Sequence, residues 1–213
     1  MIDKAEYTPV SVAIRTEPVQ QRSTERITSL LDAAADLIDE HGIDGLTTSD
    51  VATRSGSSVG VVYRYFPNIQ SLLRALAARN MQKFAERAFG SEHPEDALGA
   101  INGAIDIYVD LLRTEPGFRA LGFGDVIDRR FVQPDLSNNS VLSRGFTALL
   151  VDQYGFTASD ELSLDLEVMI EIADALLRRA FLYERNGDER FITKLRGLVA
   201  DSLAPYQSGS AAP

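Results

Sequence analysis

Residues 47–66 read TTSDVATRSGSSVGVVYRYF. Thr47 is placed to cap a short helix, and Asp50, three residues on, to complete a capping box. Val51 and Ala52 give that helix an apolar face. Gly56 supplies a residue free to take φ > 0 where the chain must turn sharply. Ser57 or Ser58 then restarts the chain as the N-cap of a second helix running to about Phe66, and Pro67 forbids its continuation. Two short helices around a Gly-containing turn of about 3–4 residues make a helix-turn-helix, the unit whose second helix enters the DNA major groove.

The flanking segments read as helices too. Upstream, Ile27, Leu30, Leu31, Ala34, Leu37 and Ile38 share one stripe of a helix over 22–41, which Gly42 ends. Downstream, Asn68 is placed to cap a longer helix that carries Leu72, Leu73, Leu76, Ala77 and Phe84 and breaks near Gly90. Further helices are expected over 94–114 (opened by Pro94), 117–130, 139–154, 160–186 (ended by Asn186-Gly187) and 188–204. Residues 1–21 read as a flexible arm and 206–213 as a disordered tail. No strand pattern, repeat or low-complexity block is present, so the fold class is all-α with about nine helices. The domains expected are a head over 22–84 and a helical bundle over 85–205.

The string SGSSVGVVYRYFPNIQSLL (55–73) resembles the signature of the tetracycline-repressor-like (TetR) family of bacterial transcription regulators, carried by the ordered set Gly56, Ser58, Gly60, Tyr63, Tyr65 and Phe66. RITSLLDAAADLIDEHGIDGLTTSDVA (26–52) is similar to that family's first helix, Gly turn and second helix, so the likeness covers roughly 22–84. Ser57 stands where the family has an apolar turn residue, Val59 where a polar or basic residue often reaches the groove, and Asn68-Ile69-Gln70 where a Lys-Glu pair opens the fourth helix. The resemblance implies a homodimer on a palindromic DNA operator, a second domain that varies with a small-molecule effector, and repression of transcription. Activation on the same fold stays open, as does an all-α ligand-binding protein or enzyme that does not act on DNA.

Composition sets the bounds. The chain has 213 residues, 24% charged and 45% hydrophobic, which is ordinary for a globular protein. It has no cysteine, which excludes disulfides and cysteine metal sites and suits a cytoplasmic protein. No apolar run of about 18 residues offers a membrane span, and the N-terminus does not read as a secretory signal. A net charge of −10 argues against nucleic acid when taken whole. Its distribution reverses that reading: residues 20–83 are neutral, and 84–213 carry −9. The scarcity of cations predicts a modest salt dependence of DNA binding.

Within the motif, Val62 and Phe66, four apart, are expected to pack on the first helix while Val59, Gly60 and Val61 face the groove, where apolar groups can meet thymine methyls. A plain core helix is the alternative. Glycine inside a helix costs roughly 0.5–1 kcal/mol relative to alanine, so Gly60 asks for a reason, and close approach of a phosphate backbone is one. Tyr63 and Tyr65 then read as phosphate or sugar contacts and Arg64 as a phosphate or base contact. Thr47, Thr48 and Ser49 could hold a phosphate at a helix N-terminus, or simply cap it, and Arg22 and Arg26 could add charge nearby or face solvent. Together with Ser58, these define the DNA-binding candidates.

For the second domain, Tyr108, Leu112, Phe118, Leu121, Phe123, Phe146 and Leu150 either line an apolar ligand cavity or fill the core, with Asp106, Asp110 and Arg119 as possible orienting groups. Met169, Ile170, Ala173, Leu177, Phe181, Phe191, Leu195, Leu198 and Val199 are expected to build a four-helix interface with a second copy. His41 and His93 lack partners at metal-ligand spacing. Glu167, Glu171 and Asp174 read as a solvated or ion-paired face, and Gly122-Phe123-Gly124 lacks the strand and spacing of a nucleotide loop. Neither a metal, a cofactor nor catalysis is expected.

Overall fold

The computed structural model describes residues 20–90, 94–122 and 138–207. Its regular structure, among the described residues, is nine α-helices and no strand: α1 (Gln20–His41), α2 (Thr48–Arg54), α3 (Val59–Tyr65), α4 (Ile69–Gly90), α5 (Ala97–Thr114), α6 (Phe118–Leu121), α7 (Asn138–Tyr154), α8 (Asp160–Ala180) and α9 (Glu189–Gln207). The described residues divide into two compact units, one of residues 20–83 with 115–122, the other of 84–90, 94–114 and 138–207. Expectations for residues 1–19, His93, Phe123 and 208–213 lie outside the described residues.

In the first unit the apolar stripe of α1 is the floor. Leu30, Leu31, Ala34, Leu37 and Ile38 are buried, and Gly42 leaves the helix at φ +78° with its N–H still donating to the Ile38 carbonyl at 2.9 Å. Onto this floor pack Val51 and Ala52 of α2, Val62 of α3, Phe66, and Leu72, Leu73, Leu76 and Ala77 of α4. Hydrophobic burial of this kind contributes about 1.5–3 kcal/mol per large side chain. Asn68 caps α4 through its amide oxygen, which accepts from the Ser71 N–H at 2.8 Å.

The same core has a contributor that periodicity alone does not reveal. Residues 115–122, which include α6, belong to the first unit rather than to the second domain. Gly117, at φ +71°, lets the backbone come so near α1 that a Cβ there would lie 3.0 Å from the Ala35 carbonyl oxygen. Phe118 is fully buried, and Leu121 is part of the head's core cluster. Arg119 pairs with Asp39 at 3.0 Å, Asn80 donates its amide to the Gly122 carbonyl at 2.9 Å, and Lys83 pairs with Glu115. Helix α6 is one turn long, not the 117–130 expected, and residues 123–130 lie outside the described set.

Three other boundaries differ from the sequence reading. Asp96, not Pro94, opens α5, its carboxylate accepting from the Gly99 N–H at 2.7 Å. Helix α8 ends at Ala180 rather than at Asn186-Gly187, because the Asp188 N–H returns to the Ala180 carbonyl at 2.9 Å. Asp188 then accepts from the Arg190 N–H at 3.0 Å at the start of α9. Helix α9 runs past Pro205 to Gln207, so Tyr206 and Gln207 are not part of a disordered tail. Proline removes one i→i−4 hydrogen bond. Tyr206 offsets this loss: its phenol donates to Asp165 at 2.6 Å and its ring stacks on Phe156, centroids 6.5 Å apart. Asp165 pushes that phenol up to about 12.

Candidate nucleic-acid interface

Local hydrogen bonds fix the two helices of the motif. The Thr47 hydroxyl accepts from the Asp50 N–H at 3.2 Å and donates to the Asp50 carboxylate at 2.6 Å. The carboxylate thus meets the cap hydroxyl instead of reaching back to the Thr47 N–H, a variant of the capping box expected. Gly56 turns the chain at φ +63°, and the Ser57 N–H closes the turn on the Ala52 carbonyl at 2.8 Å. Ser58, rather than Ser57, caps α3, its hydroxyl oxygen accepting from the Val61 N–H at 3.3 Å.

Helix α3 is divided by exposure. Val62 is fully buried and Phe66 nearly so, so the inner face is that of a core helix. On the outer face Val59 is 38% and Tyr63 52% exposed, with Gly60 and Arg64 also exposed and Val61 and Tyr65 half-buried. A Cβ at Gly60 would meet only the Ser58 hydroxyl at 3.9 Å, so the chain's own packing does not require glycine there.

The polar groups form a linked set. Thr48 of α2 donates to the Tyr63 phenol at 3.3 Å, tying both helices at the surface. Arg64 lies over the Tyr65 ring, 5.0 Å from its centroid, and donates to the Tyr65 phenol at 3.3 Å. Ser23 of α1 donates to that phenol at 3.5 Å, and Arg26 donates to the Ser57 hydroxyl at 3.2 Å. The Ser23 hydrogen bond, followed by the Arg64 guanidinium, holds the Tyr65 phenol below the usual tyrosine range. Ser23 is absent from the residues expected at this surface, and Ser57 is expected only as a cap or turn residue. Ser23 sits one helical turn before Arg26, so both lie on the same face of α1. Arg22 is exposed near the start of α1. Arg54 is bound to Glu40 through both guanidinium nitrogens at 2.9 and 2.6 Å, which lowers the Glu40 carboxyl and raises Arg54.

The nominated ligand-cavity residues do not form one group. Tyr108, Leu112, Phe146 and Leu150 are buried in the second unit, whereas Phe118 and Leu121 belong to the first and Phe123 lies outside the described residues. The three orienting groups are paired elsewhere: Asp106 with Arg196 at 2.6 Å, Asp110 with Arg87 at 2.7 Å, and Arg119 with Asp39. Tyr108 donates to Asp174 at 3.2 Å. The second unit also holds a cavity of about 20 Å³ between Ile101, Leu162, Leu166, Met169 and Val199, space for no more than a water.

The interface expectation also divides. Leu177, Phe181, Leu195 and Val199 are buried within the chain itself. Met169, Ile170, Ala173, Phe191 and Leu198 are half-buried, while among the described residues of the second unit the exposed large apolar side chains are Leu164, Val168, Leu182 and Tyr183. Glu167 and Glu171 accept from Ser140 at 2.7 Å and Asn139 at 2.9 Å of α7, Glu171 staying exposed, and Asp174 is ion-paired with Arg178, in agreement with a solvated or ion-paired face. Among the described residues no group of three or more His, Asp or Glu is placed to hold a metal, and no helix is long and apolar enough to cross a membrane.

An all-α chain with a helix-turn-helix head and a helical second domain is the architecture of a bacterial transcription regulator. Residues 30–76 match the family described as bacterial regulatory proteins, tetR family, and 92–206 match the tetracyclin repressor-like C-terminal domain. A crystal structure of a TetR-family transcriptional regulator from Streptomyces coelicolor is similar over 85% of this chain and 99% of that one, with 34% identity and a TM-score of 0.72. A TetR-family structure from Rhodococcus sp. shares the fold at 20% identity and TM-score 0.66, over 84% and 99% of the two chains. YvdT of Bacillus subtilis (strain 168), an uncharacterized HTH-type transcriptional regulator, is 24% identical over 90 residues, 42% of this chain and 45% of that protein. The match thus spans less than half the length of that curated relative. The chain belongs to the TetR family and is a DNA-binding transcriptional regulator.

Proposed function

We propose that the protein is a cytoplasmic repressor that binds a palindromic operator as a homodimer and leaves it when a small apolar or amphipathic ligand enters the second domain. The observation that carries the reading is the split of α3 into a buried inner face (Val62) and an outer face of Val59, Gly60, Tyr63 and Arg64. On this reading Tyr63, Tyr65, Arg64, Thr48 and Ser58 contact the phosphate backbone or base edges, with Thr47 holding the end of α2, and Val59, Gly60 and Val61 approach the groove. Two heads would meet half-sites about 34–36 Å apart.

Dimerisation is supported by Leu164 and Val168, exposed apolar residues four apart on α8. The half-buried Met169, Ile170, Ala173, Phe191 and Leu198 border the same helix pair. Ligand release needs only a few kcal/mol of preference for the state that does not bind DNA. Among the described residues the chain passes between the second unit and the head twice, within α4 and in the short link from α5 into α6.

Replacement of Tyr63 and Arg64 by alanine tests the reading, with mobility shift on the upstream DNA, circular dichroism and light scattering measured together. Binding is expected to collapse while helix content and dimer mass are unchanged. Full binding by the double variant, or a strictly monomeric wild type without operator affinity, rejects it. Transcript levels on deletion of the gene separate repression, where targets rise, from activation, where they fall.

A further inference from the structure

We propose that Val59 reads the 5-methyl group of a thymine in each operator half-site, making it the specificity-determining residue at the leading end of α3. The proposal rests on the reading that α3 enters the major groove. N-terminal residues of a recognition helix are those that meet base edges. In this chain the first turn of α3 offers Val59, a bare peptide at Gly60 and a half-buried Val61. It offers no side-chain amide, carboxylate or guanidinium, the groups that hydrogen-bond the major-groove edges of adenine, cytosine and guanine respectively.

The polar side chains around it are drawn into contacts within the chain. The Ser58 hydroxyl oxygen caps α3, Ser57 accepts from Arg26, Thr48 donates to Tyr63, and Arg64 is stacked on Tyr65. Val59 remains 38% exposed on a head whose other large apolar side chains, Tyr63 apart, are buried or half-buried among the described residues. An isopropyl group in the major groove has one matching feature among the base-pair edges, the methyl that distinguishes thymine from the other natural bases. Tyr63, four residues on and so on the same side of the helix, has its hydroxyl fixed by Thr48. Gly60 between them keeps the backbone low enough for that methyl to be approached.

The test uses the full-length protein and a duplex enriched by it from a random library. Each thymine is replaced singly by deoxyuridine, which removes the methyl and leaves the pairing edge intact, and affinity is read by fluorescence anisotropy at fixed salt. One position per half-site is expected to lose about fourfold in affinity, the scale of one buried methyl group. Val59→Ala, at an exposed site that leaves the fold intact by circular dichroism, is expected to bind thymine and deoxyuridine duplexes equally at that position. Restoring a methyl there as 5-methylcytosine opposite guanine is expected to bind more tightly to the wild type than unmethylated cytosine does. Insensitivity at every thymine, or undiminished sensitivity in Val59→Ala, overturns the proposal while leaving DNA binding in place. Enrichment of no duplex at all rejects the groove reading beneath it.

Discussion

Gly60 shows how one residue separates stability from function. It is a helical residue with open space where a side chain would go. Gly60→Ala is therefore expected to raise the free energy of unfolding in urea by about 0.5 kcal/mol, the lower end of the helical Gly-to-Ala range, because the site lies in the first turn. The same change is expected to weaken operator binding at least tenfold in a titration, because the added methyl stands where the DNA approaches. A more stable protein that binds no worse would show that nothing approaches that backbone. Much of this residue-level pattern was legible in the sequence: Val62 and Phe66 are apolar and four apart, and both are buried. The Ser23–Tyr65 and Arg26–Ser57 hydrogen bonds were not, because they join side chains 42 and 31 positions apart, and no local spacing encodes such pairs.

Helix ends were harder to read than helices. The stripes of α1 and the capping of α2 by Thr47 and α4 by Asn68 follow from periodicity and cap chemistry. The end of α8 does not, because Phe181, Leu182 and Tyr183 prolong an apolar pattern that tertiary hydrogen bonding interrupts at Ala180. Arg179, lying 5.1 Å from the Tyr183 ring centroid and 4.8 Å from that of Phe191, helps hold this corner. The Pro205 turn of α9 has a testable pH signature. Asp165 holds Tyr206 in its neutral form, raising it from 10.0 to about 12. A group raised on folding stabilises fully below its unfolded value and ceases to do so as pH passes its folded value. The urea midpoint is thus expected to fall between about pH 10 and about 12 for the native chain. Tyr206→Phe, which cannot ionise, is expected to start lower and to lose less over that interval.

At the scale of the molecule, charge is partitioned: residues 20–83 are neutral, and the remainder carries the whole −10, of which −9 lies in 84–213. Arg54, Arg79 and Lys83 are spent on carboxylates within the head, leaving at most four cations there for phosphates. Two heads then neutralise at most about eight phosphates, so the slope of log affinity against log salt should not exceed about 7 in magnitude. Binding measured from 50 to 300 mM salt checks this, and a steeper slope would mean that cations from elsewhere take part. The division into an N-terminal reader and an acidic bundle was visible in the sequence through charge and motif. The placement of 115–122 was not, since a one-turn helix has no period to detect and its partner Ala35 lies some eighty residues upstream.

That placement bears on how the protein can be cut and recombined. A fragment stopping after α4 would lack Phe118 and Leu121, leaving a hole in the wall of its own reading module and Asp39 without its arginine. Leu121→Ala in the intact chain imitates part of that loss and is expected to cost about 2–5 kcal/mol in denaturant unfolding. Chimaeras that exchange DNA-binding heads between family members would have to carry both stretches of chain, since the module is encoded in two pieces with part of the second domain written between them.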